Sequence, residues 1–108
     1  MPAAPFRVEF AVEAIADLYE IEDYWSERGE SWRGEKYFRE LAELALRQLS
    51  DPDEARRGRL VTSPGYRGAR EVLVFGIYRV IYDVDEQRSQ VNVLRFWHAH
   101  RDEPRRDT

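Results

Sequence analysis

Two apolar stripes at helical spacing lie so close together in this sequence that they dictate an antiparallel pair of helices. Ala11, Ala14, Leu18, Ile21 and Trp25 recur at about 100° per residue, with Glu13, Asp17, Glu20, Asp23 and Glu27 off the stripe. This predicts a helix over roughly 12–28, stopped by Gly29. Phe38, Leu41, Ala42, Ala45 and Leu49 make a second stripe, with Ser31 as its expected N-cap. Ser50-Asp51-Pro52 ends it, because proline cannot continue a helix. A connection of two or three residues leaves the helices no choice but to fold back as a hairpin.

The period is different on either side. Phe6-Arg7-Val8-Glu9-Phe10 alternates apolar and polar, as a strand with one buried face does. After the hairpin, residues 51–58 read as a loop, Arg59 to Thr62 as a weak strand and Ser63-Pro64-Gly65 as a turn. Three β-rich segments follow: Arg70 to Phe75, Ile77 to Val84 and Gln90 to Trp97. Gly76 separates the first two and residues 85–89 the last two, as in a β-meander. The expected fold is α+β, in the order β-α-α-β-β-β: a helical hairpin on a small, mainly antiparallel sheet. With 108 residues the chain is one domain, its core over about 6–102.

The last two strands are apolar on both faces. Ile77, Arg79 and Ile81 alternate with Tyr78, Val80, Tyr82 and Val84; Val91, Val93, Arg95 and Trp97 alternate with Leu94 and Phe96. A half-solvated antiparallel strand alternates more cleanly. One hairpin covers one face, so the other needs a curled sheet or a partner. Tyr19, Tyr24, Trp32 and Tyr37, off the helical stripes, are residue types favoured at interfaces.

Composition excludes several classes. No cysteine means no disulfide scaffold, thiol nucleophile or thiolate metal site. No apolar run approaches the length of a membrane span, and the first ten residues do not read as a secretory signal; a cytoplasmic setting is expected. Residues 1–50 carry eleven acids and six bases; residues 51–108 carry ten acids and eleven bases. There is one lysine, Lys36, against sixteen arginines, and six of these fall within 56–79 beside a single acid, Glu71. Arginine's planar fork suits carboxylates and phosphates. A GC-rich genome also produces such a bias.

No phosphate loop, dinucleotide glycine pattern, His-Glu-x-x-His or nucleophile elbow is present. The dense polar cluster is Trp97-His98-Ala99-His100-Arg101-Asp102. Two histidines and a carboxylate are a weak metal pattern, and neither a metal nor a cofactor is expected. Histidine with Arg79 and Arg101 could cleave a phosphodiester, arginine holding the phosphate and histidine moving a proton. The plainer reading makes His98 a cap on the core and pairs Arg101 with an acid.

The C-terminal half resembles the ParE/RelE superfamily of bacterial toxins, also labelled plasmid-stabilisation proteins. The resemblance rests on Arg70 opening a strand, then Tyr78-Arg79-Val80-Ile81-Tyr82, an acidic turn over 83–86, Val91 to Leu94, and His98 to Arg101. Ala14, Asp17-Leu18, Ile21, Tyr24-Trp25 and Tyr37-Phe38 match the helical pattern of ParE-like members. The family implies a toxin neutralised by a cognate, ParD-like antitoxin in a hetero-oligomer. ParE-like members inhibit DNA gyrase; RelE-like members are ribosome-dependent endoribonucleases that cut mRNA. The resemblance implies partner- or anion-binding roles for Arg70, Arg79, Tyr82, Trp97, His98 and Arg101, and for a nuclease catalytic roles for Arg79, His98 and Arg101. Departures favour the ParE side. The lone lysine lies in the second helix, and no tyrosine follows Tyr82. Arg70, Arg79 and Arg101 are expected to converge at one end of the sheet.

Overall fold

The computed structural model describes residues 4–99. Strand β1 (Arg7–Phe10) leads into helix α1 (Val12–Glu27), which turns back as helix α2 (Ser31–Leu49). A short helix α3 (Pro52–Arg56) and four strands follow: β2 (Arg59–Leu60), β3 (Arg70–Val74), β4 (Tyr78–Asp85) and β5 (Gln90–His98). The sheet order is β1-β5-β4-β3-β2, with β1 parallel to β5 and every other pair antiparallel. This is the α+β architecture expected, with one added helix. No helix among the described residues is long and apolar enough to cross a membrane.

Gly29 stops α1 in the left-handed region at φ +74°, where a side chain would be strained. Ser31 does not cap α2: it is the first helical residue, and its hydroxyl pairs with that of Ser26 at 3.1 Å. The hairpin closes tightly because α2 carries Gly34 where it crosses α1. A Cβ there would lie 2.7 Å from the Glu22 carbonyl oxygen. The added helix α3 has its own local code. The Asp51 side chain accepts from the Asp53 N–H at 2.9 Å, and Pro52 holds the first turn, where its missing N–H costs nothing.

Leu18, Ile21, Leu41, Ala45 and Leu49 from the helices pack on Tyr78, Val80, Tyr82, Val91, Val93 and Phe96 from the sheet. Phe96 shares this face with Val91 and Val93, which strict alternation does not allow. A β-bulge is the reason. Ile81 faces Arg95 while the next residue, Tyr82, faces Val93, so Leu94 has no opposite number. The extra residue shifts the phase of the strand: Phe96 turns to the helices, and Trp97 leaves Val91 and Val93 for the outer face.

The chain covers part of that outer face itself. The segment between β2 and β3 folds over it, and Val61, Tyr66 and Ala69 bury Ile81 and Trp97 in a second small core. Leu60 and Leu73 remain more than half exposed.

Candidate functional site

The arginines of the middle strands do not meet. Arg70 lies opposite Tyr82, on the helix side of the sheet, and donates to the Gly58 carbonyl at 2.7 Å. Arg79 lies opposite Leu73, on the outer side. Both strands have a period of two, so positions 70 and 79 fall on opposite faces once Leu73 faces Arg79. The expected convergence of Arg70 with Arg79 is thereby overturned. Arg101, with His100 and Asp102, lies outside the described residues.

On the outer face Arg79 joins a different group. Its Nε donates to Glu71 Oε2 at 2.7 Å, and its Nη2 lies at the same distance from that oxygen. The other Glu71 oxygen takes Nε and Nη2 of Arg59. Glu71 is only 5% exposed. A buried carboxylate flanked by two guanidinium groups satisfies the rule that buried charges are paired. With Leu60, Thr62, Leu73 and Ala99, the three line a cleft of about 680 Å³. Arg59 was not picked out in the sequence; its position beside the lone acid Glu71 in the arginine-rich stretch was the available sign.

Two other expected binding residues are buried. Tyr82 has no exposed surface and donates its hydroxyl to the Ala55 carbonyl at 2.7 Å, tying β4 to α3. Trp97 is 8% exposed, with the Arg95 guanidinium 4.7 Å from its ring. His98 is half-buried and meets the Tyr78 ring edge-to-face at 5.7 Å. The Tyr78 hydroxyl accepts from Trp25 Nε1 at 3.2 Å, and the Tyr37 ring packs on both Trp25 and Tyr78. His98 thus sits beside an aromatic cluster joining the hairpin to the end of the sheet. No group of three or more His, Cys, Asp or Glu among the described residues is arranged to hold a metal.

Asp17 is the buried charge on the helix side. The helical pattern placed it off the stripe, yet it is 5% exposed. Strand β1 pairs with β5 only as far as Val93, which leaves the edge of β5 open beyond that point. Asp17 closes it. Oδ2 accepts from the Phe96 N–H at 3.0 Å and from Arg95 Nε at 2.7 Å, while Oδ1 accepts from Arg95 Nη2 at 2.9 Å. The hydrogen-bonded carboxylate raises the pKa of the Arg95 guanidinium further above its ordinary value.

Burial raises the pKa of the phenols of Tyr78 and Tyr82. Below their unfolded pKa of about 10 the phenols are neutral in both states. Above it the unfolded chain releases their protons first, so stability falls until the raised folded values are passed. The urea midpoint is therefore expected to drop as pH rises beyond about 10, and less steeply in Tyr82→Phe than in the parent. Equal slopes for the two proteins would sink this assignment.

A family model described as the ParE toxin of the type II toxin-antitoxin system parDE matches residues 8–103. Among curated proteins none matches. Among solved structures, the chromosomal ParDE system of P. aeruginosa is similar at a TM-score of 0.72 and 18% identity, over 89% of this chain and 98% of that one. The RelBE2 toxin-antitoxin complex of Mycobacterium tuberculosis is similar at 0.64 and 22%, over 88% of this chain and 92% of that one. At such identities the structural likeness speaks for the fold, and the family match covers the hairpin and the whole sheet, so the chain belongs to the ParE toxin family of type II toxin-antitoxin systems.

Proposed function

We propose that this toxin is held inactive by a ParD-like antitoxin and, when free, poisons DNA gyrase by binding it, without catalysis of its own. The observation that carries this reading is the state of Arg79. The resemblance makes it a catalytic candidate for a RelE-like nuclease, yet here it is ion-paired with the buried Glu71. An mRNA phosphate at Arg79 would share that guanidinium with a buried carboxylate and stand beside a second negative charge. The remaining chemistry is thin. Lys36 is an exposed residue of α2, and no tyrosine follows Tyr82. Among the described residues His98 is the one histidine, worth about 10²- to 10⁴-fold by proton transfer, and Arg79, which would hold the developing charge, is already paired with Glu71. The acidic hairpin also suits a protein partner better than ribosomal RNA, whose affinity rests on neutralised phosphates. Both partners would be met in the cytoplasm, as in a plasmid-stabilisation pair.

The test is induction of the toxin with supercoiling, SOS response and protein synthesis followed together. Gyrase poisoning gives relaxed or broken DNA first, and His98→Gln leaves the growth arrest intact. A RelE-like ribosomal nuclease stops translation first. Codon-positioned mRNA cuts that vanish in His98→Gln would overturn the reading.

A further inference from the structure

Helix α1 carries six acids, Glu13, Asp17, Glu20, Glu22, Asp23 and Glu27, and no base. Its C-terminal end is met by the C-cap Arg28, which donates to the Tyr24 carbonyl at 3.0 Å, and its remaining charges are all negative. Between this helix and the end of β5 lies a groove of about 450 Å³. Tyr24, Tyr78 and Phe96 supply aromatic surface to it, Glu20 and Asp17 supply carboxylates, and His98 stands at the strand side. Asp17 is committed to Arg95 and the Phe96 N–H. Glu20 is exposed and makes no ion pair with a described residue. Aromatic faces beside a carboxylate are the environment that binds an alkylguanidinium or ammonium group. The chain already shows the interaction once: the Arg28 guanidinium lies 3.5 Å from the centroid of the Tyr24 ring.

We propose that this groove receives an arginine or lysine side chain of the antitoxin, held beside the exposed Tyr24 and paired with Glu20. The proposal rests on the reading of the chain as an antitoxin-neutralised toxin. Charge complementarity selects the occupant: a segment lying along a helix whose charges are all acidic gains from basic residues.

The experiment measures the affinity of the purified toxin for the antitoxin encoded beside it, across a salt series. Glu20 is exposed and without an ion pair, so Glu20→Gln and Glu20→Arg should leave the melting temperature unchanged. Glu20→Gln is expected to weaken the complex about tenfold and Glu20→Arg by about a hundredfold or more. A basic-to-acidic change in the antitoxin that restores binding to Glu20→Arg, and to no other charge variant, identifies the occupant. Unchanged affinity in both Glu20 variants overturns the groove proposal while leaving neutralisation by an antitoxin standing. Absence of any complex with the parent toxin overturns both.

Discussion

Replacing Asp17 by alanine is expected to remove a large share of the stability of this domain. The change takes its carboxylate from the Arg95 guanidinium, whose side chain is 16% exposed, and leaves the Phe96 N–H without its acceptor. Breaking a buried pair from one side costs about 3–5 kcal/mol. That compares with a total of roughly 5–15 kcal/mol for a typical domain. The melting temperature should fall on the order of 15–25 °C. The pairwise nature of the effect has its own signature. Replacing Asp17 by leucine and Arg95 by methionine together should recover much of the loss, because no uncompensated charge is left inside. A single variant that costs less than about 1 kcal/mol in urea would remove Asp17 from its role as the clamp between α1 and the open edge of β5.

Gly58→Ala should be nearly as severe, for a steric reason. A Cβ at this position would overlap the Tyr82 hydroxyl and lie 2.8 Å from the ring carbon that bears it. The ring is fully buried and has no space to retreat into. Either it moves and the Ala55 carbonyl loses its donor, or the connection between α3 and β2 is pushed outward. Overpacking and a lost buried hydrogen bond together cost about 2–5 kcal/mol. The conflict centres on the hydroxyl, so Gly58→Ala should cost less in a Tyr82→Phe background than in the parent. Additive costs in the double-mutant cycle would show that the strain lies elsewhere.

The helices, the three main strands and the α+β arrangement were legible because each rests on local periodicity. Helix α3 was legible too, in the run Asp51-Pro52-Asp53-Glu54-Ala55-Arg56, which holds a cap, a first-turn proline, early acids and a late base. By periodicity alone it reads as a loop, because its apolar content is too small to show a stripe. Asp17 was assigned to the solvent by its charge, although it stands three and four residues from Ala14 and Ile21, both in the core. Only the pairing of α1 with β5 reveals that a carboxylate is wanted there. The site residues were the least legible for the same reason. Whether Arg70 and Arg79 share a face depends on register, and register depends on Gly76 and the turn around it. The bulge at Leu94 has no sequence mark at all, and it alone decides that Phe96 turns inward and Trp97 outward.

The parallel pairing of β1 with β5 joins the two ends of the molecule: Arg7 hydrogen-bonds Gln90, 83 residues further along the chain. During translation the first strand leaves the ribosome long before its neighbour exists. At about 5–20 residues per second the wait is on the order of 4–17 s. Throughout that interval Phe6, Val8 and Phe10 have no sheet to pack on, and the hairpin behind them has no floor. A nascent toxin therefore completes this sheet only once β5 has been made. An antitoxin translated ahead of it would already be at hand when its binding surface first forms.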